Sequence, residues 1–256
     1  MEIKYKLNSL EEKTLKNICN TPYMLQTITL IKKFVATQND EKKAYIATFD
    51  ELFRILNESK KFVDNYLATR KNKGEIKDEK QALKSIAGNS FSQAIVYIFL
   101  QNKIYGNIRS DIFITSHPKT VPQFQESVVI DVDGETQKPD CDLIIYSLNK
   151  DGTLKKSMIL SLKTSLRERA GQTYKWKLLL EIASVDNPIK EKYNITYNPI
   201  HIPIVAFTTV NFYNEINNPQ HRGMFKFFDK SFIAKNVDAD FISRLSTLPQ
   251  FVNESL

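Results

Sequence analysis

The chain has 256 residues, 42% of them hydrophobic and 25% charged, which fits a globular protein with a full core. No run approaches the roughly eighteen apolar residues of a membrane-crossing helix, and the opening MEIKYKLNSLEEK lacks the apolar core of a secretory signal. Cys19 and Cys141 give neither a disulfide framework nor a metal-knuckle spacing, so a cytoplasmic protein is expected; the net charge of +7 permits a polyanionic partner without proving one.

In chain order, the first hundred residues read as helices. LEEKTLKNICN, PYMLQTITLIKKFVATQ and FDELFRILNESKKFVDNYLATR carry apolar residues at three- and four-residue spacing, with Asp50 as a fair N-cap before ELFRIL. Arg70 to Gln81 is polar and charged, and reads as an exposed linker. A further helix is expected over SFSQAIVYIFLQNKI, ending near Gly106. From about Glu126 the period changes. ESVVIDV, DLIIYSL, KSMILSLK and HIPIVAFTTV are short, rich in β-formers and bounded by turn signals. Between the last two, Ser165 to about Val185 reads as a helix, opened by a capping box from Ser165 to Glu168. The order is helices, a three-stranded antiparallel meander, a helix and another strand. It predicts an α/β (α+β) fold with a mixed central sheet flanked by helices.

The meander's last hairpin concentrates the chemistry. Asp151-Gly152 is a strong two-residue turn signal, because a type I′ turn needs positive φ at both positions. Lys150 then pairs with Thr153, Asp140 faces Lys163, and Asp142 faces Ser161, all four on one side because strand side chains alternate. Facing Cβ atoms lie about 5 Å apart, so a carboxylate and an ammonium can share a small site. The other side carries Cys141, Leu143, Ile145, Met158, Leu160 and Leu162, a core face. The plain alternative is one cross-strand ion pair at a sheet edge, which contributes little. Pro139, which needs no ladder donor, suits the strand start. From Leu154 to Lys177 there are seven basic residues against one acid, Glu168, a local charge of +6 that reads as a phosphate-backbone surface or as a solvated basic face.

Pro139-Asp140, followed across the hairpin by Ser161-Leu162-Lys163 and the continuation KTSLRER, resembles the PD-(D/E)xK nuclease superfamily, and more narrowly its type II restriction endonucleases. The resemblance covers about residues 126 to 212. It implies a restriction-endonuclease-like core over residues 76–256 behind a helical region over 1–75, and hydrolysis of double-stranded DNA with Mg²⁺ by a homodimer. Asp140, Ser161 and Lys163 would form the catalytic set, with Asp140 and the Leu162 carbonyl binding Mg²⁺. Lys163 would lie by the attacking water and scissile phosphate, in an electrostatic role rather than as general base. Serine is a weak Mg²⁺ ligand, so Ser161 departs from the expected acid and a carboxylate must come from elsewhere. Asp142 and Glu168 are the leading candidates, then Glu126 and Glu181; Glu168 is equally the capping-box acid. Thr164, Ser165, Arg167, Arg169, Gln172 and Lys175 would contact DNA, with Lys177 on the same helix; otherwise they are an exposed helix face. A repair or junction nuclease of the same fold, or a DNA-binding protein that no longer cleaves, are the other readings.

The remaining motifs carry less. His117, His201 and His221 lack metal-ligand spacing, no phosphate-binding glycine motif suggests a nucleotide cofactor, and Trp176 reads as a core or interface anchor. Phe225, Phe227, Phe228 and Phe232 read better as a buried or interface cluster than as base-stacking residues.

Overall fold

The computed structural model describes residues 5–164, 170–212, 215–237 and 239–256. Helix α1 (Ser9–Asn20) starts at a capping box in which Asn8 and Glu11 each accept the other's backbone amide at 2.9 Å. Helices α2 (Leu25–Ala36) and α3 (Glu41–Asn72) follow, and α3 is capped by Asp40. Asp50 therefore lies inside a helix instead of starting one. The apolar stripe Ala44, Tyr45 and Phe49 continues in phase into Leu52, Ile55 and Leu56, so the helix runs through. The Asp50 carboxylate instead accepts the Ser246 amide at 2.9 Å. Within the charged stretch 70–81 the exposed connection is confined to residues 73–78, with helix on both sides: α3 runs to Asn72, Gly74 takes a φ of +73°, and Asp78 caps α4 (Glu79–Ile104).

Strand β1 (Ile112–Thr115) and helix α5 (Phe124–Val128) precede β2 (Ile130–Val132), β3 (Glu135–Gln137), β4 (Leu143–Leu148) and β5 (Leu154–Lys163). Helices α6 (Ala170–Ala183) and α7 (Pro188–Lys192), strands β6 (Ile195–Thr196) and β7 (Ile204–Thr209), helix α8 (Pro219–Phe225), strands β8 (Lys230–Ile233) and β9 (Ser243–Arg244), and helix α9 (Leu248–Ser255) complete the order. The six-stranded sheet runs β1-β4-β5-β7-β8-β9, antiparallel through β1, β4 and β5 and parallel from β5 to β9. The expected mixed sheet flanked by helices is present. The meander is composed differently. Most of ESVVIDV is α5 and β2, and β2 joins β3 and β6 in a separate three-stranded sheet, while β1 takes the place beside β4. The turn at Asp133-Gly134 has positive φ at both residues, 53° and 86°, and pairs β2 with β3 within the second sheet.

Both faces of the main sheet are covered. Leu143, Ile145, Met158, Leu160 and Leu162 pack with α1 to α4 and α9 on one side. Ile144, Tyr146, Ile159, Val205 and Phe207 pack with α5, α6 and α8 on the other. Strands buried on both faces lose the polar–apolar alternation of a half-exposed sheet, which is why DLIIYSL reads as a continuous apolar run.

Candidate active site

The hairpin of β4 and β5 holds the register expected from the sequence, with Leu143 opposite Leu160 and Ile145 opposite Met158, but reaches it by another route. Only Gly152 has positive φ, +84°; Asp151 does not. Gly152 donates to the Asn149 carbonyl at 3.0 Å, and Asn149 rather than Lys150 pairs with Thr153, donating to its carbonyl at 2.9 Å. Asp151 accepts both the amide and the hydroxyl of Thr153, a local bond that holds it out of the left-handed region. A one-residue shift between Ser147 and Leu148 then restores the register.

At the far end of this hairpin Asp142 reaches across the strand ends. Its Oδ2 accepts the Leu162 amide at 2.7 Å, the Lys163 ammonium at 2.8 Å and, more weakly, the Ser161 hydroxyl at 3.4 Å. Strand β4 begins only at Leu143, so a carboxylate oxygen stands where a strand carbonyl would otherwise pair with Leu162. Lys163 thus meets Asp142 and not Asp140, correcting the expected pairing. Ser161 is fully buried and exchanges a hydrogen bond of 3.0 Å with the Thr173 hydroxyl on α6. Thr173 was not singled out from sequence. Its spacing to Trp176 and Leu180 puts it on the sheet-facing stripe of α6, which is the signal that could have found it.

Asp140 lies before β4 and lines a pocket of about 170 Å³ with Lys138, Pro139, Ile159, Thr173 and Trp176. Among the described residues it makes no hydrogen bond or ion pair. The buried Trp176 indole N–H in the pocket wall likewise has no partner among them. Cys141, between the two aspartates, packs with the α6 side of the sheet and not on the expected face with Leu143. Burial, with Asp140 and Asp142 adding to it, pushes its thiol up to about 12, so it is not a nucleophile at neutral pH.

The other candidates separate. Glu126 is exposed on α5. Glu181 is an exposed acid tied to Lys177 at 2.5 Å. Lys177 itself is buried and held by both Asp229 oxygens, at 2.9 and 3.0 Å, so it is not part of a DNA-facing surface. Burial disfavours its charge, but the bonds to Glu181 and Asp229 outweigh that and raise its pKa. Lys175 is exposed on the same helix, and Thr164 is half-buried just past β5. Ser165, Arg167, Glu168 and Arg169 lie outside the described residues, as does the capping box; so does the side chain of Gln172. His117 is exposed, and His201 is bonded between the Ser127 and Ser157 hydroxyls at 3.1 and 2.8 Å. Phe225, Phe228 and Phe232 are buried, while Phe227 is exposed and its ring lies 5.5 Å from that of Tyr174, tilted by 32°.

No set of three His, Cys, Asp or Glu side chains that could hold a metal gathers among the described residues. What is present is the Asp140 carboxylate, without a partner among the described residues, and the Oδ1 of Asp142, which takes none of the three donors on Oδ2. These are hard oxygen donors, and an octahedral ion that keeps several waters suits so sparse a set.

A mixed sheet clad by helices, with an aspartate–lysine pair at adjoining strand ends, defines a restriction-endonuclease-like nuclease fold. The model of the family described as BsaWI restriction endonuclease type 2 matches residues 120–251, more than half of the chain, and the chain belongs to that family. It is accordingly a type II site-specific deoxyribonuclease, with double-stranded DNA as its substrate. No curated protein matches the chain. No helix among the described residues is long and apolar enough to cross a membrane.

Proposed function

We propose that this nuclease cuts each strand of a specific duplex site as a Mg²⁺-dependent homodimer, with its centre at Asp140, Asp142, Ser161, Leu162 and Lys163. The observation that carries the reading is the convergence at one strand end of a carboxylate-tethered lysine and, in the adjoining pocket, an aspartate with no protein partner among the described residues. Asp140, with the Leu162 carbonyl and Asp142 Oδ1, would hold the ion. When bound, Mg²⁺ supplies charge that polarises a phosphoryl oxygen and lowers the pKa of a water.

The chain's own residues do the rest. Asp142 fixes the Lys163 ammonium at the strand terminus, aimed where charge develops on the scissile phosphate. Ser161, buried against Thr173, has no free approach to a metal and serves to lock β5 to α6. Glu168 remains the proposed source of a third acid. Arg167, Arg169, Thr164, Ser165, Gln172 and Lys175, which follow the catalytic strand in the chain, are the proposed DNA contacts. A homodimer follows from two-fold symmetric DNA sites, which a symmetric pair of subunits cuts on both strands.

The test is incubation with plasmid in Mg²⁺ and in chelator. Discrete fragments that require Mg²⁺ support the reading, and scattered or structure-dependent cuts favour a repair nuclease. Binding without cleavage favours an inactive DNA-binding protein. Asp140→Ala and Lys163→Ala are each expected to lower cleavage by at least about a hundredfold with folding intact. Full activity in either would sink the site.

A further inference from the structure

The long hairpin of α3 and α4 projects from the same edge of the sheet as the candidate site. The parallel strands β5, β7 and β8 all end at that edge, at Lys163, Thr209 and Ile233. Helix α3 starts near the opposite edge: Asn107, just ahead of β1, donates to the Lys42 carbonyl at 2.8 Å, and Asn102 donates to the Tyr45 carbonyl at 2.9 Å. By Phe53 it has reached the carboxyl edge. The Phe53 amide donates to the Ala234 carbonyl at 3.1 Å, and its ring lies 5.9 Å from that of Phe212. Residues 54–72 continue beyond this point, which at 1.5 Å per helical residue is about 28 Å.

This outer part has a core of its own. Val63, Leu67 and Ile86 form a separate cluster, joined by Tyr23, Tyr66, Ile76, Ala82 and Leu83, with no residue of the sheet. The hairpin tip is thus a packed arm and not a frayed loop. Its charge is one-sided: residues 60–84 hold eight Lys and Arg against four Asp and Glu. Arg70 and Lys71 are occupied by Glu75 and Glu79. Lys73, Lys77, Lys80 and Lys84 are exposed and have no acidic partner among the described residues, and Lys80 and Lys84 share one face of α4.

We propose that this arm grips the phosphate backbone of duplex DNA outside the base pairs that the active site reads, through Lys73, Lys77, Lys80 and Lys84. The proposal rests on the DNA-cleaving reading for its partner, and adds a second contact surface to it. An arm of about 28 Å spans about eight base pairs at 3.4 Å each, so its contact requires DNA that extends well past the cut. Lysines on flexible stems, with neither a stacked aromatic nor a bidentate fork among them, suit phosphates rather than base edges.

The test compares binding to arbitrary-sequence duplexes of about 14 and about 40 base pairs, without metal, over a salt series. The variant Lys73→Gln/Lys77→Gln/Lys80→Gln/Lys84→Gln is set against Lys13→Gln/Lys16→Gln/Lys32→Gln/Lys33→Gln, which removes the same charge from exposed positions on α1 and α2. Each phosphate contact contributes about 0.9 to the slope of log affinity on log salt, so the arm variant should lose about 3 to 4 units on the long duplex. It should lose little on the short one, and the control little on either. An unchanged slope, an equal loss on both lengths, or an equal loss in the control overturns the arm. Wild-type protein that binds duplex but yields no Mg²⁺-dependent plasmid cleavage overturns the nuclease reading instead, leaving the arm's slope to be judged separately.

Discussion

At the scale of single residues, Asp142 does more than the sequence motif assigns to it. One carboxylate oxygen completes the end of β5 and holds Lys163, so its roles in folding and in the site can be separated. Asp142→Asn keeps an acceptor for the Leu162 amide but removes the charge that pairs with Lys163. It is expected to cut plasmid at least about tenfold more slowly while melting near the wild-type temperature. Asp142→Ala removes both, leaves the half-buried Leu162 amide and Lys163 ammonium without their acceptor, and should cost about 2 kcal/mol. For a chain of this size that is a fall of roughly 4–8 °C in Tm by calorimetry. Wild-type cleavage by Asp142→Asn would show that Lys163 is placed without it.

At the scale of elements, the β4–β5 hairpin shows how a register survives a misread turn. Asp-Gly gives a two-residue type I′ loop at Asp133-Gly134 but not at Asp151-Gly152, where Thr153 offers Asp151 local hydrogen bonds. The extra loop residue is absorbed at Ser147, because slipping by one would turn Leu143, Ile145, Met158 and Leu160 out of their core. Gly152 is the one position in this turn with positive φ, and a Cβ there would meet no neighbouring atom. Gly152→Ala therefore isolates backbone strain. It should cost about 1–2 kcal/mol and lower Tm by a few degrees, with cleavage retained because the site lies at the opposite end of the strands. A Tm equal to wild type would mean the turn relaxes to another type.

At the scale of the whole molecule, a pH-sensitive clasp ties α5 to the main sheet. His201 bonds Ser127, at the end of α5, and Ser157, on β5, and burial lowers its pKa. The unfolded chain, titrating near the ordinary histidine value of about 6.5, then binds more protons than the folded one just below that pH. Stability from this group is accordingly complete above about pH 6.5 and is lost as pH falls toward the depressed folded value. Denaturant unfolding of wild type and His201→Asn between pH 7.5 and about 5.5 should show this component in the wild type alone. Parallel curves would assign the acid sensitivity to other groups.

The sequence by itself determined the class of fold, the inward stripes of the helices, the β4–β5 register and the stretch that carries the candidate site. Each of these follows from short-range periodicity, and the register held although the turn that joins the two strands is of another kind. It also held the residues for which the resemblance to restriction endonucleases stands, a kinship that the family match over residues 120–251 bears out. Only the tertiary structure decided which aspartate meets Lys163, because that depends on where β4 begins. Lys177 is buried and not DNA-facing because Asp229, some fifty residues later in the chain, packs against it. The passage of α3 through Asp50 to an arm beyond the sheet was equally out of reach of local pattern. A cap signal is read one turn at a time, whereas a helix ends where its apolar stripe runs out of surface to cover.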